Sequence, residues 1–384
     1  MKRIILIFAT LIFALYSCNK TNLEGNWIET NNFKTPVLIQ FYGELCNHRN
    51  LSKSSDSVRY KVFWNQITFQ NQDTTLVYKY DFNNDTLILL SDDKSYRLAK
   101  SERKCFVDDL LEQLPIEINM PEGNGSLNTL DWAYGIIYLG YEKENQQLEL
   151  YFNGEKLDSI SGMGYKMLAC IKEEIDYPRY RTIIFADKNV PYSVIKEIQD
   201  EHRKAGLYKL NYSFNSIYMN NFQNYSCIAN RIFAGYHTYP LYLDSFDLYP
   251  PRPPDRLPFL SIEYEIPLIQ LIDTSILFDG RQIVFQDLHK KMRSEIKRTH
   301  NKTVFLYKVD PNVKYGQFIK FLDMAFQTFF EFREEYSRNI YGKPYYILSD
   351  SLSDEVKDKI PISIFEVDSV LLSIINSRGH GWID

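Results

Sequence analysis

The feature that most constrains this chain is a short phrase written twice. Asp187-Lys188-Asn189-Val190-Pro191-Tyr192 returns as Asp310-Pro311-Asn312-Val313-Lys314-Tyr315, an Asp-x-Asn-Val-x-Tyr pattern in both places. Each copy follows an apolar run (residues 182–186 and 304–309) and precedes a stretch with helical periodicity. Upstream, Tyr151-Phe152-Asn153-Gly154 is echoed by Leu277-Phe278-Asp279-Gly280. Asn-Gly and Asp-Gly favour tight hairpin turns, because their central residues accept positive φ at low cost. A hairpin signal and a strand-to-helix junction recurring in the same order predict an internal duplication.

The predicted fold is α+β: a small antiparallel β-barrel followed by two duplicated α+β sandwich modules, with helices on one face of a small sheet. In the first module, residues 130–215, strands are expected at 148–152 and 156–160. A helix then places Met163, Met167, Leu168 and Ile171 on one side. After the strand at 182–186, a second helix turns Val194, Ile195, Ile198 and Ala205 inward and stops at Gly206, with 207–214 as the last strand. The second module, residues 261–350, has a helix carrying Phe285, Leu288, Met292 and Ile296 and a long helix with Phe318, Phe321, Leu322, Ala325, Phe326 and Phe329. A strand at 345–348 closes it. Between them, 216–260 reads as a Tyr/Pro-rich linker ending in Tyr249-Pro250-Pro251-Arg252-Pro253-Pro254, a stiff spacer. Residues 351–384 read as a C-terminal tail.

Residues 22–110 differ in pattern. Short candidate strands at 37–42, 58–63, 66–70, 76–81, 86–90 and 96–99 are separated by Asn- and Asp-rich turns, the mark of a sandwich or an up-and-down barrel. The opening Gly25-Asn26-Trp27 resembles the Gly-x-Trp start of lipocalin-like domains, which implies a Trp plugging one end of a barrel and, as a second functional reading, carriage of a small apolar ligand. Asp81-x-Asn83-x-Asp85 has the start of a calcium loop, but Thr86 stands where a Gly is needed, so it reads as a hairpin turn.

The chain starts Met1-Lys2-Arg3, runs apolar from Ile4 to Tyr16 and reaches Ser17-Cys18. This is the order of a secretory signal, residues 1–18, and is shorter than the roughly 20 residues of a membrane span. Leu15-Tyr16-Ser17-Cys18 resembles the lipobox of bacterial lipoproteins. The resemblance implies acylation of Cys18, the lipid bilayer as a partner, and residence in the cell envelope facing the periplasm, in the outer membrane rather than the inner. Four more cysteines, Cys46, Cys105, Cys170 and Cys227, remain for an oxidising compartment; Cys46 and Cys105 fall in one domain and are within reach of a disulfide, and Cys170 reads as a buried thiol.

The stretch from Ile184-Phe185-Ala186-Asp187 to Lys204-Ala205-Gly206-Leu207 resembles the periplasmic domain of the ExbD/TolR family of biopolymer transport proteins. That implies a module that binds envelope partners, a TonB-like or Tol-like protein or peptidoglycan, or a second copy of itself. The family's N-terminal membrane helix with its proton-carrying Asp has no counterpart here. Asp187, Tyr192, Asp310 and Tyr315 are the candidate partner-binding residues. The plainer reading is that Asp187 and Asp310 fix turns, with Asn189 or Asn312 capping the following helix.

No Gly-x-Ser-x-Gly, His-Glu-x-x-His or phosphate loop occurs. The six histidines, His48, His202, His237, His289, His300 and His380, are scattered, and His202 and His289 read as solvated helix faces. With 44 basic against 49 acidic residues, net charge −5, the composition does not favour nucleic acid. The expectation is a non-enzymatic binding or scaffold protein, without catalytic residues, metal or cofactor.

Overall fold

The computed structural model describes residues 23–30, 37–50, 58–63, 65–70, 75–83, 86–92, 94–101, 111–112, 114–123, 133–174, 181–205, 207, 209–216, 228–234, 265–273, 275–299, 302–362 and 364–367. Cys18, with the whole signal segment, lies outside them, as do Cys105, Gly206, Cys227 and His380. The chain divides into two units, the first running to Asp109 apart from residues 33–35, the second holding the remainder.

The first unit is a closed antiparallel barrel. Its strands are β1 (Gly25–Glu29), β2 (Val37–Tyr42), β3 (Leu45–Asn50), β4 (Val58–Phe63), β5 (Gln66–Gln70), β6 (Thr75–Asn83), β7 (Thr86–Leu90) and β8 (Ser95–Ser101). Each pairs with the next, and β8 returns to β1 with Trp27 opposite Lys100. Alternate residues turn inward: Ile39 and Phe41, Leu87 and Leu89, and Leu98 with Trp27 are all buried. Closure removes the open edges that a flat meander would expose. Eight strands enclose a space just wide enough for side chains to fill. Here rings from several strands meet across it, Phe41 with Tyr60 at 4.9 Å and with Phe69 at 6.2 Å, and Tyr78 with Phe69 at 5.7 Å and with Tyr96 at 6.0 Å. The indole N–H of Trp27 donates to the Leu23 carbonyl at 2.8 Å, so a wholly buried ring leaves no polar atom unpaired. Asn83 pairs with Thr86, so the segment from Asp81 is the hairpin expected there.

Cys46 belongs to this barrel core and is a free thiol, so the bridge to Cys105 raised by the sequence is not formed. Burial pushes the thiol up to about 12, which leaves it unreactive.

The second unit carries two sheets. Its elements open with β9 (Ile116–Glu117), β10 (Glu122–Gly123), β11 (Ala133–Glu142), β12 (Leu148–Phe152), β13 (Glu155–Leu157), α1 (Met163–Glu174), β14 (Arg181–Ala186), α2 (Tyr192–Lys204), β15 (Lys209–Ser216) and β16 (Ile228–Ala234). The sheet order is β10-β15-β14-β11-β12-β13, with β16 on β15 and β9 on β11. The chain continues with β17 (Leu268–Ile272), β18 (Ser275–Phe278), β19 (Arg281–Ile283), α3 (Phe285–Arg298), β20 (Phe305–Val309), α4 (Tyr315–Tyr341), α5 (Asp350–Lys359) and β21 (Ile364–Glu366), in the sheet order β19-β18-β17-β20-β21. In each sheet a hairpin is followed by a helix, a parallel strand beside the hairpin's first strand, and a second helix. A further parallel strand lies next to that one.

Three expectations are corrected. Residues 345–347 are a 3₁₀ turn, not a strand; the strand that completes the second sheet is β21, reached through α5, so the segment read as a tail carries ordered structure. Residues 207–214 do not end the first sheet, because β16, inside the segment read as a linker, pairs antiparallel along β15. His202 is not on a solvated face: it is buried, beside buried Gln199 and Glu201 on α2.

The helices form where their apolar spacing lets them. α3 buries Leu288, Met292 and Ile296 at four-residue intervals and turns Lys290, Lys291 and Lys297 outward. Each of those three side chains contributes about 1.5–3 kcal/mol on burial. α4 ends at Gly342, whose φ of +65° closes the helix with its N–H on the Arg338 carbonyl. Strands β11 and β14 are buried on both faces, which is why they read as unbroken apolar runs. One core cluster takes residues from both sheets and from α1, α2, α3 and α4.

Candidate functional site

The twice-written phrase forms two junctions of matching geometry. Asn153 and Asp279 both sit at φ +49°, each followed by a Gly at positive φ. Asn153 Oδ1 accepts the Ile136 N–H and Asp279 Oδ1 accepts the Leu268 N–H, each at 2.8 Å. At the ends of β14 and β20, the Asp187 and Asp310 N–H groups donate to the Leu139 and Leu271 carbonyls, both at 2.9 Å. Asp187 Oδ1 takes the Asn189 N–H at 2.8 Å, and Asp310 Oδ1 takes the Asn312 N–H at 2.9 Å. These aspartates therefore fix the turns. The capping expected from Asn189 and Asn312 is not made; the residues preceding the helices are Pro191 and Lys314, neither of which supplies a side-chain cap.

What replaces the cap is the opposite junction. The first N–H groups of a helix have no partner within it. The Tyr192 N–H donates to the Val313 carbonyl at 2.7 Å and the Ser193 N–H to the Pro311 carbonyl at 3.0 Å. Reciprocally, the Tyr315 N–H donates to the Val190 carbonyl at 2.8 Å and the Gly316 N–H to the Lys188 carbonyl at 2.9 Å. Pro191 and Lys314 meet in an antiparallel bridge. The approach is close: a Cβ on Gly316 would lie 3.1 Å from that of Lys188.

The side chains cross as well. Tyr192 and Tyr315 are buried. The Tyr192 ring packs on Phe318 at 4.6 Å, and its hydroxyl donates to Glu366 Oε1 on β21 at 2.9 Å. Lys196 Nζ reaches the same oxygen at 2.7 Å. The Tyr315 hydroxyl faces the Ser213 carbonyl of β15 at 3.4 Å, with Tyr212 beside it at 6.3 Å between ring centres. Burial, then the Glu366 charge, pushes the Tyr192 phenol well above its ordinary range; burial, then Tyr212, does the same to Tyr315. Both remain neutral. Of the four residues predicted to meet a partner, Asp187, Tyr192 and Tyr315 are thus enclosed, and Asp310 is half exposed at the rim. Sequence reasoning missed Glu366 and Lys196; the position of Glu366 in a three-residue strand left no periodic signal.

Among the described residues no group of three or more His, Cys, Asp or Glu side chains is placed to hold a metal, and no helix is long and apolar enough to cross a membrane. A polar cavity lies at the carboxyl ends of β11 and β14, next to Asp187. Comparison with known proteins gives no match: no family model matches the sequence, no curated protein matches it, and no solved structure matches the fold.

Proposed function

We propose that this chain is an envelope lipoprotein, tethered through acylated Cys18, whose second unit is a duplicated pair of ExbD/TolR-like modules that works by binding rather than by catalysis. Its partner is a TonB-like or Tol-like envelope protein or peptidoglycan. The observation that supports this most is the reciprocal pairing of the two junctions. Two halves of like strand order meet through equivalent residues, as the two subunits of a symmetric dimer would. That pairing occupies the junctions, so a partner is met on other faces of the module pair. Purification of the full-length acylated protein from membranes, with sedimentation of the same protein on cell-wall sacculi, tests the reading. Recovery of an envelope protein or co-sedimentation is expected, with membrane fractionation lost in Cys18→Ser. Neither partner recovered, or Cys18→Ser still membrane-bound, would overturn it.

The closed barrel favours a second reading, carriage of a small apolar ligand. The rings that meet inside the barrel weigh against it, since a ligand would have to displace Phe41, Phe69 or Tyr78.

A further inference from the structure

The two halves match at their junctions but not in what lies over them. In the first half, β9 and the residues after it cross the carboxyl ends of β11 and β14. Glu117 pairs with Tyr141. The Asn119 N–H donates to Asp187 Oδ2 at 2.8 Å, and the Lys188 N–H donates to the Asn119 carbonyl at 2.9 Å. Gly140 makes room for the crossing: a Cβ there would sit 2.3 Å from the Glu117 carbonyl oxygen. In the second half Asp310 carries no such cover, and among the described residues its side chain takes the Asn312 N–H alone.

The crossing walls a cavity of about 290 Å³ lined by Glu117, Asn119, Tyr141, Gln146, Asp187 and Asn189. Every lining residue carries a hydrogen-bonding group. Among the described residues, the Asn189 amide and the Tyr141 hydroxyl have no hydrogen-bond partner. Burial, then the Asp187 charge, pushes the Tyr141 phenol up, so its hydroxyl remains a donor. Two of the six are carboxylates and none is a cation. Of the neighbouring lysines, the Lys143 ammonium is engaged by the Glu112 carbonyl at 3.1 Å, while Lys188 is exposed. The volume is at the lower limit for ligand pockets and suits one small molecule.

We propose that this cavity binds a small polyhydroxylated amine with the size and chemistry of a hexosamine. Its ammonium pairs with the second carboxylate oxygen of Glu117, whose Oε1 accepts the Asn119 side-chain N–H at 2.9 Å, in the field of buried Asp187. Its hydroxyls bond the Asn189 amide, the Tyr141 hydroxyl and the side-chain carbonyl oxygens of Asn119 and Gln146, one Gln146 side-chain N–H being held by the Glu142 carbonyl at 3.3 Å. A neutral sugar lacks the charge that the two carboxylates select, and an anion is repelled by them. The site needs only the first half's own residues and does not depend on the envelope partner proposed above.

The test is titration of glucosamine, glucose and N-acetylglucosamine into the full-length protein, read by calorimetry. Glucosamine is expected to saturate a single site, at least about tenfold tighter than the two uncharged sugars. Glu117→Gln should weaken glucosamine by about tenfold and Asn189→Ala by several-fold, with thermal stability unchanged because both side chains are exposed. Absence of saturation up to about 10 mM glucosamine, equal affinity for glucose, or an affinity that Glu117→Gln leaves in place would overturn the proposal.

Discussion

His202 shows how far one residue's surroundings outweigh its type. Its side chain is 3% exposed, and Nε2 has no hydrogen-bond partner among the described residues. Burial pushes its pKa down to about 3. The unfolded chain binds the proton near the ordinary histidine value of about 6.5. Stability from this group is therefore fully present above that value and is lost as pH falls toward 3. Urea denaturation at pH 6.5 and pH 5 should differ by about 2 kcal/mol on account of His202, and His202→Leu should flatten that slope. An unchanged slope in the variant would show that the imidazole titrates normally. Glu366 allows a second check. Tyr192→Phe removes a donor to a largely buried carboxylate and should cost about 1–2 kcal/mol, less in a Glu366→Gln background, by urea denaturation of the four-member cycle. His202 was misread from sequence because a lone polar residue on an amphipathic helix usually faces water. Here α2 is covered on that side too, with Glu201 drawn in to accept the Gly162 N–H at 2.9 Å.

At the scale of elements, legibility followed length and apolar content. Strands β2, β4, β5 and β7 could be read at their observed bounds, since each is a short run rich in apolar or β-branched residues bounded by polar turn residues. Strand β3, Leu-Cys-Asn-His-Arg-Asn, escaped because it is nearly all polar beyond its first two residues. Strand β21 escaped because three residues carry no period, and β16 because its surroundings are rich in Tyr and Pro. The barrel's dependence on its opening strand is testable: Trp27→Ala should cost about 3–5 kcal/mol, measured by urea denaturation. Gly140→Ala should cost about 1–3 kcal/mol, because the new methyl group overlaps backbone of the crossing segment rather than a side chain that can swing away. A neutral Gly140→Ala would mean that β9 does not lie over β11 as described.

For the whole molecule, the repeated phrase carried more than any composition figure. It gave both junctions, both hairpins and the α+β class. What it did not give was that the junctions face each other, since no pattern within one stretch specifies which distant carbonyl accepts an N–H. The candidate partner-binding residues were legible as special, but the partner they meet in the fold is the other half of the same chain. The cavity beside Asp187 was invisible, because Glu117 and Asn119 come from outside the repeated pattern. The reciprocal pairing of the junctions can be read out by amide hydrogen exchange. The first N–H groups of an ordinary exposed helix exchange fast, because nothing within the helix holds them. If Tyr192, Ser193, Tyr315 and Gly316 bond to the carbonyls of the opposite junction, their amides should be protected to the level of the central strands β14 and β20. Rapid exchange at those four amides, alongside slow exchange in the strands, would mean that the two junctions do not pair.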